Sequence, residues 1–317
     1  MPNWIGDAVV SAAFVEVCAE AHPGSSLTVM AHPRVATLFE HDPNVQSIIK
    51  LSPERSLWQT AKKLTKEKFD IAYILPISFS SALIVFLSGI PKRVGYSAEA
   101  RGFLLTERLK YNQNDFRSRH IILDFMKLLG REDVGAGPKI YIQVEELKQA
   151  EQFLASNNFP AGKIIGFGPG ATFGPAKRWP QVNWVELGRK ITDNGFRILV
   201  FGSSDESALC QEIANGIGAK ALNLAGTATL RQSAALLSLC PNFITNDTGV
   251  MHLAAAVGTK VTAIFGSTNP VWTRPWGEKH RVIYMNESCS PCYQRECRYR
   301  HYDCLKKIRV SDVHEIL

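Results

Sequence analysis

Short apolar runs alternate with helical patterns along nearly the whole chain. Nine of these runs have the length of a strand, and they lie at positions 26–31, 47–51, 71–75, 93–96, 164–168, 197–202, 221–224, 243–246 and 260–265. Strands that alternate with helices are typical of α/β layers around mostly parallel sheets. We therefore predict an α/β protein built from two Rossmann-like halves.

The length of 317 residues exceeds one ordinary core, so two domains are expected. We place their boundary in the polar stretch 156–162, because the segment NNFP ends a helix there and a strand follows at once. The predicted domains are 1–157 and 158–317. A first Rossmann strand should precede the loop at 3–7, yet two residues stand before it, so either the first strand of the N-terminal domain is missing or the chain starts late.

Composition and charge narrow the class of protein. The sequence has no apolar run of about 18 residues and no secretory signal, which favours a soluble, cytoplasmic protein. The net charge is +7, with seven basic residues against three acidic ones in the segment 92–119 and a second basic cluster in 295–309. Such clusters are either solvated faces or binding surfaces for an anionic partner. No nucleic-acid-binding motif accompanies them.

A glycine- and proline-rich loop, GPGATFGPAKRWP at 168–180, follows one predicted strand and precedes a helix expected to start near Gln181. The backbone N–H groups of such a loop, a helix N-terminus and a fixed cation together suit a diphosphate. Lys177 and Arg178 supply the cations. From these residues alone, an ordinary loop with two solvated basic side chains is the alternative.

The segment ITNDTGVMHLAAA at 244–256 predicts a strand that runs into a helix of small residues. Asp247, Thr248 and Gly249 would then lie at the carboxyl end of the strand, which is the usual ligand edge of an open α/β sheet. The alternative makes Asp247 the N-cap of the helix and His252 an ordinary helix residue.

Two further loops, at 202–206 and 266–270, follow strands in the same half of the chain. Together with the loops at 168–180 and 247–249 they predict a nucleotide-sized crevice. Neither G-x-G-x-x-G between a strand and a helix nor G-x-x-x-x-G-K-[ST] occurs, which disfavours a dehydrogenase or a P-loop protein.

Four cysteines near the C-terminus, Cys289, Cys292, Cys297 and Cys304, have the spacing C-x2-C-x4-C-x6-C with His301 nearby. They are candidate ligands of zinc or of an iron–sulfur cluster. The spacings do not repeat a paired C-x2-C pattern, so reduced structural thiols are favoured and no metal is assigned. The remaining cysteines are predicted core residues: Cys18, Cys210 and Cys240.

Several motifs in this order carry a family resemblance: NWIGD at 3–7, PGA at 169–171 with KRWP at 177–180, NDTGVMH at 246–252, and the cysteine-rich tail from 289. Together they resemble glycosyltransferase family 9 over nearly the whole chain. The resemblance implies a GT-B fold, in which an N-terminal acceptor domain and a C-terminal nucleotide-sugar domain face a central cleft. It also implies an inverting reaction without a D-x-D metal site or another cofactor.

The same resemblance implies the substrates. The donor would be ADP-L-glycero-D-manno-heptose, and the acceptor would be the first heptose of the lipopolysaccharide inner core in heptosyl-Kdo2-lipid A. The protein would act at the cytoplasmic face of the inner membrane, as a peripheral protein that binds no nucleic acid. The basic segment 92–119 would suit such an anionic glycolipid.

Residue roles follow from the matched motifs. Asp7 would be the general base that removes the proton of the acceptor hydroxyl, and Lys177 would neutralise the phosphates of the departing ADP. The other implied donor contacts are Thr172, Thr248 and Gly249 at the phosphates, Glu206 at the ribose, and Asp247 and His252 at the heptose. Two other classes stay open: a sugar-nucleotide epimerase or hydrolase on the same fold, and a noncatalytic nucleotide-sugar-binding protein.

Overall fold

The computed structural model describes residues 1–51, 54 and 56–316. The chain divides into two compact units, Met1–Pro138 (unit 1) and the part from Lys139 onward (unit 2). In the described residues every strand pair is parallel, which confirms the predicted α/β class. Among the described residues, no helix is both long enough and apolar enough to span a membrane.

Unit 1 contains a parallel pair of strands and a separate three-stranded parallel sheet. The pair is β1 (Thr28–Ala31) and β2 (Ser47–Lys50), and the sheet is β3 (Ile71–Ile74), β4 (Lys92–Tyr96) and β5 (Glu107–Leu109), with β4 in the middle. The helices are α1 (Ile5–Val10), α2 (Ala12–Ala21), α3 (Pro33–Ala36), α4 (Leu57–Glu67), α5 (Phe79–Leu87), α6 (Gln113–Ser118) and α7 (Ile121–Lys127). No strand precedes α1 among the described residues.

Two local predictions for unit 1 need correction. A single helix is expected from about residue 8 to 21, but the structure has α1 and α2 with a break at Ser11, whose hydroxyl donates to the carbonyl of Ala8 at 2.7 Å. The strand β5 is absent from the prediction. The four strands that the sequence predicts in this unit are present with small shifts at their ends.

Unit 2 is built on one six-stranded sheet in the order β11-β10-β9-β6-β7-β8. Its strands are β6 (Ile164–Gly168), β7 (Arg197–Val200), β8 (Ala221–Asn223), β9 (Asn242–Asn246), β10 (Lys260–Phe265) and β11 (Arg281–Tyr284). Its helices are α8 (Val144–Ser156), α9 (Gln181–Asp193), α10 (Ser207–Ile217), α11 (Leu230–Ser238), α12 (Gly249–Ala256), α13 (Pro270–Thr273), α14 (Asp303–Lys306) and α15 (Val310–His314). The strand order is that of a doubly wound Rossmann sheet, and its direction of winding reverses between β6 and β9.

The five strands predicted for this half are confirmed, whereas β11 is absent from the prediction. Strand β6 is buried along its whole length, as expected for a central strand between two helical layers. The predicted start of a helix at Gln181 is also confirmed.

The two compact units divide near Pro138, earlier than the predicted boundary at 157. Helix α8 therefore belongs to unit 2. It packs there on α11, and an ion pair joins the two helices. The guanidinium of Arg231 donates to Glu146 of α8, with 2.8 Å between Nε and Oε1, and to the carbonyl of Tyr141 at 2.7 Å. This long-range contact has no signature in the local sequence.

An unprotonated ring nitrogen of His280 binds the backbone at the beginning of β10. Its Nδ1 accepts a hydrogen bond from the backbone N–H of Val261 at 3.2 Å, and its ring is 8% exposed. Burial lowers the pKa of His280 to about 4, with a further contribution from the charge of Lys279.

We expect this histidine to weaken the fold in acid. The unfolded chain takes up a proton near pH 6.5 while the folded chain stays neutral, so stability is lost as the pH falls from about 6.5 toward 4. Between pH 7 and pH 5, wild type should lose roughly 1–2 kcal/mol more unfolding free energy than His280→Asn. Urea unfolding at both pH values measures the difference, and equal losses in the two proteins would contradict the assignment.

Candidate functional site

The loop that follows β6 is fixed at both ends by Asn246, the last residue of β9. The side-chain Nδ2 of Asn246 donates to the carbonyl of Pro169 at 2.6 Å, and its Oδ1 accepts from the backbone N–H of Trp179 at 3.1 Å. The indole of Trp179 is buried against Trp184 and donates to the carbonyl of Ile308 at 3.0 Å. The loop at 169–179 is therefore held rigidly over the point where the winding of the sheet reverses.

Lys177 and Asp247 meet at this edge of the sheet. The Lys177 Nζ lies 2.5 Å from Oδ2 of Asp247, and the hydroxyl of Thr268 donates to the same oxygen at 2.6 Å. The two charged side chains are 13% and 5% exposed, respectively. Three loops, which follow β6, β9 and β10, thus contribute one side chain each to a compact polar cluster, which we call the Lys177 cluster.

The alternative role of Asp247 as a helix N-cap is wrong. Helix α12 begins at Gly249 and its N-cap is Thr248, whose side chain makes no capping hydrogen bond. The carboxylate of Asp247 is instead used by the Lys177 cluster. Thr248 and Gly249 are half-buried, next to the helix N-terminus, which is an arrangement that favours an anion.

Glu206 lies beside Gly170, in the loop that follows β6. Its Oε2 accepts from the backbone N–H and the hydroxyl of Ser203, at 2.9 and 3.0 Å, while Oε1 is buried and accepts no hydrogen bond from the described residues. A Cβ atom at Gly170 would lie 2.3 Å from the carboxylate carbon, so glycine is required at that position. A buried carboxylate oxygen with spare acceptor capacity is suited to a ligand hydroxyl.

The other expected donor contacts have different environments. Thr172 is exposed in the loop after β6, and His252 is buried in the first turn of α12. Asp7 belongs to unit 1, where it lies half-buried in the first turn of α1 and its carbonyl accepts from the N–H of Ser11 at 2.9 Å. The structure thus brings Lys177 and Asp247 into direct contact and places Asp7 in the other unit.

Most of the basic segment 92–119 serves the fold of unit 1. Arg101 is fully buried, where its guanidinium donates to the carbonyls of Tyr96 at 2.8 Å and Pro76 at 2.5 Å. Burial lowers the pKa of this arginine to about 10. Other cations of the segment also bind within unit 1: Arg93 on the carbonyls of Ile90 and Leu104, Arg119 in an ion pair with Asp124, and Lys92 in an exposed ion pair with Glu107. Arg108 and Lys110 are exposed.

The ion pair of Arg119 contains a buried acid. Asp124 is 0% exposed, and burial raises its pKa to about 6, although the hydrogen bond and the charge of Arg119 act in the opposite direction. The desolvation of the carboxylate therefore outweighs the attraction of the guanidinium. The guanidinium of Arg119 is therefore already paired with a carboxylate inside unit 1.

The cysteine-rich tail is folded against unit 2. Among the described residues, no group of three or more His, Cys, Asp or Glu side chains is arranged to hold a metal ion. Burial and the neighbouring thiols raise the pKa of Cys304 to about 11. For Cys297, burial alone would raise the pKa, but backbone N–H groups from residues 299 to 302 lower it overall. The three cysteines outside the tail are buried, which confirms them as core residues: Cys18, Cys210 and Cys240.

Residues 57–303 match the model of glycosyltransferase family 9 (heptosyltransferase). Lipopolysaccharide heptosyltransferase 2 of Escherichia coli K12 is 31% identical over 302 residues, which cover 90% of this chain and 86% of the relative. The chain belongs to glycosyltransferase family 9. It is therefore a glycosyltransferase, and the resemblance carried by the sequence motifs is confirmed.

The fold agrees with this membership. The solved structure of E. coli ADP-heptose lipopolysaccharide heptosyltransferase II matches with a TM-score of 0.86 at 28% identity, over 99% of this chain and 95% of that one. A glycosyltransferase family 9 protein from Veillonella parvula matches in fold with a TM-score of 0.89 at 22% identity, over 98% and 93% of the two chains. The expected GT-B fold class is confirmed.

Two residues of the site are missing from the sequence-based list. Thr268 lies in the loop at 266–270, which the sequence marks as a source of hydrogen-bond donors, but the spacing does not single out one of them. Asn246 lies within the NDTGVMH motif, and its role in holding the loop depends on the pairing of β6 with β9. Both omissions concern contacts between loops that are distant in sequence.

Thr268→Val should destabilise unit 2, because the buried carboxylate of Asp247 loses a hydrogen-bond donor. The expected decrease in the free energy of unfolding is about 1–3 kcal/mol, whereas Thr268→Ser, which keeps the hydroxyl, should retain most of the stability. Urea unfolding of both variants measures the difference. If the serine and valine variants were equally stable, the hydrogen bond would have no energetic role.

Proposed function

We propose that this glycosyltransferase moves a heptose from ADP-L-glycero-D-manno-heptose to the first heptose of the lipopolysaccharide inner core. The observation that carries the proposal is the Lys177 cluster at the reversal point of a Rossmann sheet, where nucleotides bind in open α/β proteins. The named relatives, which are heptosyltransferases 2, support this donor and acceptor class.

The donor would bind along the carboxyl edge of the unit 2 sheet. Lys177 and the N-terminus of α12 offer positive charge and backbone donors to the diphosphate. Glu206 has a buried acceptor oxygen for the ribose hydroxyls. The remaining contacts that we assign to the donor are Thr172, Thr248 and Gly249 at the phosphates, and Asp247 and His252 at the heptose.

The reaction would be a single displacement with inversion. The acceptor hydroxyl oxygen attacks the anomeric carbon of the heptose, and its proton passes to the carboxylate of Asp7. The bond from the anomeric carbon to the diphosphate oxygen breaks, and its electron pair leaves with ADP. Lys177 and the backbone donors would stabilise the negative charge that develops on that oxygen. This assignment gives every step to protein groups and uses no metal ion.

The acceptor would be heptosyl-Kdo2-lipid A, presented at the cytoplasmic face of the inner membrane. Unit 1 offers the exposed cations Arg108 and Lys110 to such an anionic glycolipid. This is a smaller positive surface than the sequence suggests, because several neighbouring cations bind within the unit.

The reaction class is tested by ADP release from ADP-heptose, with and without heptosyl-Kdo2-lipid A. We expect release that requires the acceptor, together with formation of the diheptosylated product. Equal release without acceptor would identify a hydrolase, conversion of the donor sugar without release would identify an epimerase, and donor binding without turnover would identify a noncatalytic binding protein. Each of these three results would reject the proposal.

Asp7→Asn should reduce transfer by at least about 1,000-fold, because the acceptor hydroxyl loses its base while the size of the side chain is kept. Binding of ADP by unit 2 should stay within about twofold of wild type, which calorimetric titration measures. The matched control is Asp70→Asn, an exposed acid of the same unit, which should leave transfer unchanged. Normal turnover by Asp7→Asn would exclude this residue as the base.

A further inference from the structure

The charge of Lys177 is already balanced before a donor binds. Its Nζ lies 2.5 Å from the carboxylate of Asp247, so the pair contributes almost no net charge to the site. A nucleoside diphosphate brings more than one negative charge, and its departure from the sugar adds to the charge on the terminal phosphate. On the proposed function, on which this inference rests, a second cation would add to the stabilisation that Lys177 and the backbone donors give the diphosphate.

The cysteine-rich tail makes backbone hydrogen bonds to two of the loops that form the Lys177 cluster. The carbonyl of Arg295 accepts from the backbone N–H of Ala176 at 3.0 Å, and the N–H of Tyr293 donates to the carbonyl of Ser267 at 2.7 Å. Gly174 has a φ of 147°, and a Cβ atom there would lie 2.4 Å from the Arg295 carbonyl oxygen. The segment 293–295 is thus bound to the loops that follow β6 and β10, and its approach depends on a glycine.

The side chains of Arg295 and Lys177 both lie over the ring of Phe173. The guanidinium carbon is 5.5 Å from the centre of the Phe173 ring, and the Lys177 Nζ is 4.9 Å from the same centre. Arg295 is exposed, and no carboxylate of the described residues forms an ion pair with it. By contrast, Arg178 is half-buried and donates to the carbonyl of Ala171 at 3.2 Å.

We propose that Arg295 is a second diphosphate-binding residue, contributed to the donor site by the cysteine-rich tail. Its guanidinium would bind the terminal phosphate of the nucleoside diphosphate, where its planar donors can make paired hydrogen bonds that a lysine cannot. The ring of Phe173, in the loop that follows β6, would hold the guanidinium through a cation–π contact. The tail therefore serves the donor site through Arg295 and through its backbone contacts.

The test compares two arginines of the tail. Arg295→Gln should weaken the binding of ADP about tenfold in calorimetric titration, while the binding of AMP, which lacks the terminal phosphate, should change by less than about twofold. Arg298→Gln is the matched control, because Arg298 is also exposed, carries the same charge and lies over the ring of Tyr299 at 4.7 Å. It should bind both nucleotides as wild type does. Arg295→Lys should recover part of the ADP affinity.

Three results would overturn the assignment: unchanged ADP binding by Arg295→Gln, an equal loss for AMP and ADP, or an equal loss in Arg298→Gln. Thermal melting of the unliganded variants checks the fold, and the backbone carbonyl that binds Ala176 is kept in all of them. The wild-type chain is titrated with UDP and GDP in parallel. Selective binding of UDP or GDP would reject ADP-heptose as the donor but not the role of Arg295, and the Arg295 variants would then be compared with that nucleotide. If the chain bound no nucleoside diphosphate, both proposals would be rejected.

Discussion

The pairing of β6 with β9 is the constraint on which the proposed donor site depends. The sheet of unit 2 is parallel throughout, so the carboxyl ends of its strands lie at one edge, and the winding reverses between these two strands. Asn246 at the end of β9 then holds both ends of the loop that follows β6. Lys177 and Asp247 meet across this point although 70 positions separate them in the sequence.

The ion pair formed there serves to position the ammonium group of Lys177 more than to stabilise the fold. Both partners are largely buried, so the cost of removing two charges from water offsets much of their attraction. Loss of either partner alone would leave an uncompensated charge and cost roughly 3–5 kcal/mol. The pair, together with the hydrogen bond from Thr268, fixes the ammonium group in one place before a ligand arrives. A preorganised cation of this kind is what phosphate departure requires.

The limits of sequence-based prediction are clearest at the sheet edges and in the basic segment. Strands β5 and β11 are both edge strands, and neither is buried along its length as the central strand β6 is. Strand β5, with the sequence ERL, carries no apolar run that would mark it as a strand. The basic segment 92–119 predicts an anionic partner, yet Arg101 is a fully buried structural residue. The sequence does not distinguish a cation that binds backbone carbonyls from one that faces solvent.

The sequence by itself determined the α/β class, the positions of most strands along the chain, the family, and two loops whose residue types suit a diphosphate. These follow from local periodicity and from motifs, which are properties of neighbouring residues. The tertiary structure alone decided that Asp247 binds Lys177 and does not cap α12, that α8 belongs to unit 2, and that the tail places Arg295 beside Phe173. Each of these depends on a contact between distant segments, whose partners are set by strand pairing and core packing and not by local sequence.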